Sequence, residues 1–147
     1  MTVCRRMAHG ESMKRTIVLG PQLHLPVDVA GEACAFLGRR GGGKTYASGK
    51  AAEGYLAARV QIGIIDQVGK WYGLRLNADG KTPANADLVI LGGLRGDVPL
   101  AAESGALCAE LFISSGRSMI FDVSQFSKGA RKRWCRDFGE KLWEPSS

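Results

Sequence analysis

The chain has 147 residues, of which 45% are hydrophobic and 23% charged, and its formal net charge is +6. This composition excludes a mainly disordered chain, and the longest purely apolar runs fall far short of the roughly 18–20 residues that a membrane-spanning helix needs. The basic excess is compatible with nucleic acid or a phosphate-bearing ligand as partner, but it is also common in proteins that bind neither.

The N-terminal segment and the first apolar runs define the start of the core. Residues 1–15 are polar, basic and without periodicity, which predicts a flexible basic arm ahead of a core that spans 16–147. Two short apolar runs, 17–19 and 23–25, are separated by a Gly-Pro-Gln turn. This spacing predicts a hairpin that leads into the core.

Strand and helix patterns alternate in the next part of the chain. The continuous apolar run 33–37 predicts a strand buried on both faces of a parallel sheet. An alanine-rich segment from Lys44 to about Arg59 predicts a helix. The β-branched run 60–65, which Asp66 closes, and the run 87–91 each predict a further buried strand.

The C-terminal third continues this alternation. A helix is predicted from Leu100 to about Ser115, with an apolar stripe formed by Leu100, Leu107 and Leu111. A strand at 118–122 precedes a last helix, which Ser127 would cap and which runs to about Trp143 with Trp134, Phe138 and Leu142 spaced by four. The alternation predicts an α/β domain with a parallel sheet and crossover helices.

The cysteines favour a reducing compartment. Cys4, Cys34, Cys108 and Cys135 are widely separated and form no Cys-x-x-Cys pair, so they do not predict a zinc site. Cys34 and Cys108 lie in apolar surroundings, which predicts small buried side chains with reduced thiols. Such usage is typical of a cytoplasmic protein.

The strongest motif is the segment 38–45, which matches the P-loop pattern G-x-x-x-x-G-K-[ST]. Its glycines let consecutive backbone N–H groups point at a phosphate, and the following helix directs its positive dipole end at the same anion. Lys44 is expected to reach the β- and γ-phosphates, and the Thr45 hydroxyl to bind Mg²⁺. The sequence therefore predicts binding of ATP or another nucleoside triphosphate, with Mg²⁺, by Gly38, Arg39, Arg40, Gly41, Gly42, Gly43, Lys44, Thr45 and Tyr46. A plain glycine turn is the alternative, in which Arg39 and Arg40 are simply solvated.

Hydrolysis would need acidic residues in addition to this loop. Two predicted strands end in an aspartate, Asp66 and Asp122, and each could lie near the metal or serve as a turn or cap residue. Neither aspartate is followed by a glutamate, since Gln67 and Val123 come next. The catalytic residues therefore stay unknown at this stage.

These motifs together resemble the HerA/FtsK branch of P-loop ATPases, and in particular its HerA-like, helicase-type group. The resemblance is carried by residues 25–26, 35–45, 64–75, 92–100 and 121–128, and it covers about 17–143. It implies a three-layer RecA-like (ASCE) P-loop NTPase fold with a mainly parallel sheet. It also implies ATP and Mg²⁺ as ligands, DNA as partner, and a homo-oligomer that is a hexamer in the family.

The resemblance also assigns individual positions. The run 43–45 matches the Walker A residues, Asp66 the acidic residue after the second core strand, and Asp122 the aspartate of the strand before Walker B. In the family the Walker B strand, which ends Asp-Glu, follows the helix that here spans about 128–143, so the fold is expected to be truncated before that strand. The expected function is ATP binding without efficient hydrolysis, which leaves open whether the chain is an enzyme. A small nucleotide or metabolite kinase and a non-catalytic nucleotide- or DNA-binding module are the alternatives.

The last predicted helix is rich in cations: Lys128, Arg131, Lys132, Arg133 and Arg136. This charge suits contacts with nucleic-acid phosphates, and it is equally compatible with a solvated helix face. The aromatic residues Trp71, Tyr72, Trp134 and Trp143 are expected to be only partly covered, as core or interface residues more often than as base-stacking platforms.

Overall fold

The computed structural model describes residues 2–4, 15–31, 35–77, 79–82, 84 and 87–144. The chain divides into two compact units. The N-terminal unit is Val3–Ile62, and the C-terminal unit is Gly63–Ser147 together with Met1–Thr2.

The N-terminal unit contains a hairpin and one long helix. Strands β2 (Thr16–Gly20) and β3 (Leu23–Pro26) pair antiparallel, which confirms the predicted hairpin. A 3-10 turn at Val27–Gly31 follows, and helix α1 spans Lys44–Ala57 as predicted. Strand β1 (Thr2–Cys4) contains residues of both units. This strand differs from the irregular arm that the sequence predicts for 1–15. Residues 5–14 of that arm lie outside the described residues.

Helix α1 packs closely on β2 through a glycine. A Cβ atom added at Gly54 would lie 3.0 Å from both Cβ and Cγ1 of Ile17 and closer still to its Cγ2. Ile17 is only 3% exposed. The Arg15 guanidinium adds a hydrogen bond to the Ala58 carbonyl oxygen at 3.1 Å. The absence of a side chain at Gly54 therefore allows the close packing of α1 on the hairpin.

The prediction of a strand at 33–37 is wrong for residues 35–37, which are the part of this run that the structure describes. Residues 35–37 have no regular structure, and Leu37 is 90% exposed, while Ala33 and Cys34 lie outside the described residues. An apolar composition alone does not make a strand, because a buried parallel strand also needs neighbouring strands to complete its ladder.

The C-terminal unit is built on a parallel sheet. Strand β6 (Met119–Asp122) pairs in parallel with β4 (Ile62–Asp66) on one side and with β5 (Val89–Gly92) on the other. The register aligns Asp66, Asp122 and Gly92 at the carboxyl edge. The α/β class and the parallel sheet predicted from the alternating pattern are therefore confirmed.

Two helices, α2 (Gly105–Ser115) and α3 (Lys128–Trp143), pack against each other in this unit. The Ser127 side chain caps α3 by accepting a hydrogen bond from Ala130 N, as predicted. Trp134 is completely buried, which corrects the expectation that it would be partly covered. It stacks on Phe138 with ring centroids 5.0 Å apart, and both rings contact Phe121 of β6.

The apolar stripe predicted for the α2 region is wrong. The helix begins at Gly105 rather than Leu100, and both Leu107 and Leu111 are exposed. The buried side chains are instead those of Cys108, Ala109 and Phe112, which confirms the predicted burial of the Cys108 thiol. The reason is close helix packing: a Cβ at Gly105 would lie 2.5 Å from the Trp134 carbonyl oxygen, so α2 meets α3 with its small residues.

The chain itself covers the outer edge of β5. Asp97 N donates to Ile90 O at 2.7 Å, and Gly92 N donates to Val98 O at 2.8 Å. The Asp97 carboxylate also accepts a hydrogen bond from Ile90 N at 2.9 Å. Val98 pairs with Leu91 as a parallel bridge. The segment after β5 therefore occupies main-chain groups that an edge strand would otherwise expose.

Among the described residues, no helix combines the length and the apolar character that crossing a bilayer requires.

Candidate functional site

The segment 38–45 forms an exposed loop that turns directly into α1. Gly42 N donates to Arg39 O at 3.1 Å, which closes a tight turn. Gly41 (φ 79°) and Gly43 (φ 78°) adopt the left-handed conformation that favours glycine. Two of the four glycines in this segment thus occupy positions where the backbone conformation favours glycine.

The Lys44 side chain folds back over the start of this loop. Its Nζ donates to the carbonyl oxygens of Gly38 at 2.6 Å and of Arg39 at 2.7 Å. These two bonds hold an ammonium group beside the loop backbone. The positive charge is therefore close to the main-chain groups that the motif requires for holding a phosphate.

The start of α1 adds a second source of positive potential. Gly43 is the N-cap and provides no side-chain acceptor, and the first turn contains no acidic residue. The first N–H groups of a 14-residue helix therefore carry the positive end of its dipole. Thr45 and Tyr46 are exposed here, as are Arg39 and Arg40. This arrangement can hold an anion by backbone N–H groups and one lysine.

Asp66 fastens the loop that follows β4. Its Oδ1 accepts hydrogen bonds from Val68 N and Gly69 N, each at 2.9 Å, and its Oδ2 accepts one from Trp71 N at 2.8 Å. The residue is 1% exposed. Three of the roughly four lone-pair positions of a carboxylate are thus used by backbone donors. Of the two roles left open for Asp66, these contacts fit the turn residue and do not fit a direct metal ligand.

Asp122 lies in a recess that two glycines form. Its Oδ1 accepts a hydrogen bond from Ser124 N at 2.9 Å, whereas its Oδ2 accepts none from a described residue. A Cβ at Gly93 (φ 66°) would lie 3.0 Å from Asp122 Cβ and closer still to its carboxylate, and one at Gly69 (φ 70°) would lie 3.3 Å from Oδ2. The residue is 8% exposed. Asp122 therefore keeps one acceptor atom for a further hydrogen bond or a cation.

Two side-chain contacts join the loops after β4 and β5. Arg75 forms an ion pair with Asp97 at 2.7 Å, and the Arg95 guanidinium lies 3.9 Å from the ring centroid of Tyr72. The pKa of Asp97 lies below its ordinary value, mainly because the carboxylate accepts a hydrogen bond from the backbone N–H of Ile90. The hydrogen bond and the positive charge of the Arg75 guanidinium lower this pKa further. The two loops at the carboxyl edge therefore support each other.

The predicted site residues fall into the two units. The loop 38–45 belongs to the N-terminal unit, and Asp66 and Asp122 belong to the C-terminal unit. In the described part of the chain, no group of three or more His, Cys, Asp and Glu side chains is arranged to hold a metal ion.

Sequence reasoning did not connect three further residues with Asp122 or with the loop that follows it. Ser124 donates its backbone N–H to the carboxylate, and Gly93 forms one wall of the recess. Arg131 holds the loop after β6 by donating to the carbonyl oxygens of Ser124 at 3.2 Å and Phe126 at 3.3 Å. The sequence does contain one signal for this close approach, the Gly-Gly pair at the end of β5.

Known proteins add no independent support to this geometry. Comparison of the chain with protein-family models, with curated proteins and with solved structures finds no match. Because fold class alone does not determine activity, the functional conclusion depends on the residues of the site.

Proposed function

We propose that the chain is a P-loop protein that binds ATP or another nucleoside triphosphate through residues 38–45. The observation that carries this proposal is the position of Lys44, whose Nζ bonds to Gly38 O and Arg39 O beside two left-handed glycines. A plain glycine turn gives no role to a lysine beside the loop, whereas a phosphate loop uses a lysine at this position to contact the phosphates. This contact favours the phosphate-binding interpretation over the alternative left open by the sequence.

Binding would rest on hydrogen-bond donors and positive charge that lie close together, with no acidic residue in the first turn of α1. The Lys44 ammonium and the uncapped N-terminus of α1 would both attract an anion, and charge-assisted hydrogen bonds are about twice as strong as neutral ones. Arg39 and Arg40 are exposed on the same loop and would steer a polyanion towards it. A loop of this kind contacts the phosphates of a nucleotide, so we expect little preference for one base over another.

Magnesium fits this site only in part. The exposed Thr45 hydroxyl is the group that would bind Mg²⁺, which would neutralise charge on the β- and γ-phosphates. Asp66 is not proposed as a ligand because its oxygens already accept three backbone hydrogen bonds. Asp122 Oδ2 accepts no hydrogen bond from a described residue, so this carboxylate could contact a cation, but no joint site with Thr45 is proposed.

Binding without efficient hydrolysis is the second part of the proposal. Asp66 is occupied in fastening a loop, and the residues after Asp66 and Asp122 are Gln67 and Val123 rather than glutamates that could polarise water. The cysteine usage makes a cytoplasmic location a further proposal. The resemblance to HerA-like, helicase-type ATPases makes DNA binding and a hexameric assembly further proposals, and none of the three depends on the loop geometry.

Equilibrium binding of a fluorescent ATP analogue tests the proposal. Lys44→Ala should weaken binding about 10- to 150-fold, because charge-assisted hydrogen bonds are worth about 1.5–3 kcal/mol. Lys50→Ala removes a cation from the same helix and should leave binding unchanged, since Lys50 pairs with Glu53 at 2.7 Å. Tripolyphosphate should compete with the analogue, because the loop is proposed to read phosphates. Equal affinity of both variants and the parent chain would contradict the proposal.

Phosphate release under steady-state conditions tests the second part. We expect turnover near background with ATP and Mg²⁺, with or without Lys44. Robust turnover that Lys44→Ala abolishes would refute the lack of hydrolysis while supporting nucleotide binding. Transfer of phosphate to a small added acceptor would favour the kinase alternative.

A further inference from the structure

The outer face of α3 carries a row of cations that ends in an aromatic residue. Helical spacing places Lys128, Lys132, Arg136 and Trp143 on one side of the helix, opposite the buried Trp134. We call these four residues, with Arg133 on their flank, the α3 outer face. All five are exposed.

Most of the positive charge on this face is not neutralised. Lys128, Lys132 and Arg133 form no ion pair with any described residue. The acidic residues of α3 lie in its second half, where Asp137 and Glu140 pair with Arg136. The first half of the helix is therefore a concentrated positive surface.

The fold does not explain this distribution of charge. Cations at the N-terminal end of a helix oppose its dipole, and α3 has no acidic residue in its first turn. Two glycines, Gly129 and Gly139, also lie within the helix, although a Cβ at either position would meet no atom within 4 Å. Glycine weakens a helix interior, and here no packing contact requires it. The cations near the N-terminus and the two glycines therefore both lower the stability of α3.

Trp143 is the second feature that the fold leaves unexplained. Its side chain is 89% exposed, in contrast to Trp134 on the same helix, which is fully buried. A cationic surface that follows a phosphate backbone, together with an exposed aromatic ring, is the combination that single-stranded nucleic acids bind without sequence preference. Charge complementarity therefore favours a polyanion with stacking bases over an apolar protein partner.

We propose that the α3 outer face binds single-stranded nucleic acid, with phosphates at Lys128, Lys132 and Arg133 and a base stacked on Trp143. The helix rises about 1.5 Å per residue, so these contacts extend along roughly 22 Å, which accommodates several nucleotides. Gly129 and Gly139 leave room for the strand to approach the helix backbone. The site lies wholly in the C-terminal unit and does not depend on the proposed nucleotide site.

Fluorescence anisotropy of a labelled oligothymidine strand, titrated with the full chain, tests the three cations. For three phosphate contacts we expect affinity to fall about 20-fold between 50 and 200 mM salt, from a log–log slope near −2. The triple variant K128Q/K132Q/R133Q should lose most of this binding and its salt dependence. The control R59Q/K70Q/K81Q removes the same charge at other exposed positions and should retain both. Equal loss in the two triple variants would show a general charge effect and overturn the proposal.

The contribution of stacking is tested at Trp143. Trp143→Ala should weaken binding roughly tenfold, whereas Trp143→Phe should largely retain it because phenylalanine also stacks on bases. Leu94→Ala removes another highly exposed apolar side chain and should have no effect. Binding of anionic lipid vesicles without binding of the oligonucleotide would overturn the proposal. Self-association that Trp143→Ala abolishes, again without oligonucleotide binding, would overturn it in favour of a second copy as partner.

Discussion

Replacing Gly54 by alanine perturbs the contact that holds α1 on the hairpin. The added methyl group would lie 3.0 Å from Cβ and Cγ1 of Ile17 and closer still to Cγ2. Favourable carbon–carbon contacts lie at about 3.5–4.0 Å, so helix and strand would have to separate by about 1 Å or more. Ile17 is 3% exposed and cannot turn into solvent without losing its burial.

Two opposing effects set the magnitude of this change. Alanine improves helix propensity over glycine by about 1 kcal/mol, whereas overpacking a well-filled contact costs about 1–3 kcal/mol. Gly49→Ala in the same helix provides the control, because a Cβ there would meet no atom within 4 Å. It should therefore show the propensity gain alone. We expect Gly54→Ala to be less stable than Gly49→Ala by about 1–3 kcal/mol.

Urea unfolding followed by circular dichroism measures this difference. A double-mutant cycle with Ile17→Ala tests its cause, because that substitution removes Cγ1 and also Cγ2, which is the atom nearest the new methyl group. Gly54→Ala should then cost less in the Ile17→Ala background, with a coupling energy of about 1 kcal/mol or more.

Equal stability of Gly54→Ala and Gly49→Ala would refute the packing argument. So would strict additivity with Ile17→Ala, since the clash would then lie elsewhere or be absent.

Three further predictions concern the C-terminal unit and the β5 edge. Gly93→Ala should destabilise the protein by about 2–5 kcal/mol in urea unfolding, because it combines a left-handed φ with a clash against the Asp122 carboxylate. Gly80→Ala is the control: Gly80 has a similar φ with no atom near the added Cβ, and this change should cost only about 1 kcal/mol. Ser127→Ala should cost about 1 kcal/mol by removing the α3 cap, and Ser127→Asp should retain stability. The lowered pKa of Asp97 stabilises the fold above the ordinary carboxyl pKa, and this contribution disappears as the pH falls through the folded-state pKa. Asp97→Asn should therefore flatten the decline of the unfolding midpoint in acid below about pH 4, and an unchanged slope would contradict this.

The parts of the fold that local signals determine could be predicted from the sequence. The hairpin follows from two apolar runs around a Gly-Pro turn, and α3 from Ser127 and apolar residues spaced by four. The turn within 38–45 could also be predicted, because glycine is the residue that favours the left-handed conformation that Gly41 (φ 79°) and Gly43 (φ 78°) adopt. In each case the relevant interactions lie close together in sequence.

The parts that depend on distant neighbours could not be predicted. Helix α2 buries Ala109 rather than Leu107 because Gly105 brings α2 close to α3. The spacing of apolar residues within α2 does not predict this contact. The run 33–37 looks like a buried strand, yet its described residues lack a ladder partner. The role of Asp66 depends on where the next five residues turn, which only the folded loop determines.

The pairing of residues 97–98 with β5 has a consequence for assembly. A sheet grows between molecules only where an edge offers free N–H and C=O groups, and at β5 Asp97 and Val98 already occupy several of them. A strand from another molecule could add here only after this segment has peeled away, so edge-to-edge growth must first pass through a local opening. Protonation of Asp97 would weaken its contacts with Ile90 N and Arg75, so we expect strand addition at this edge to become easier in acid.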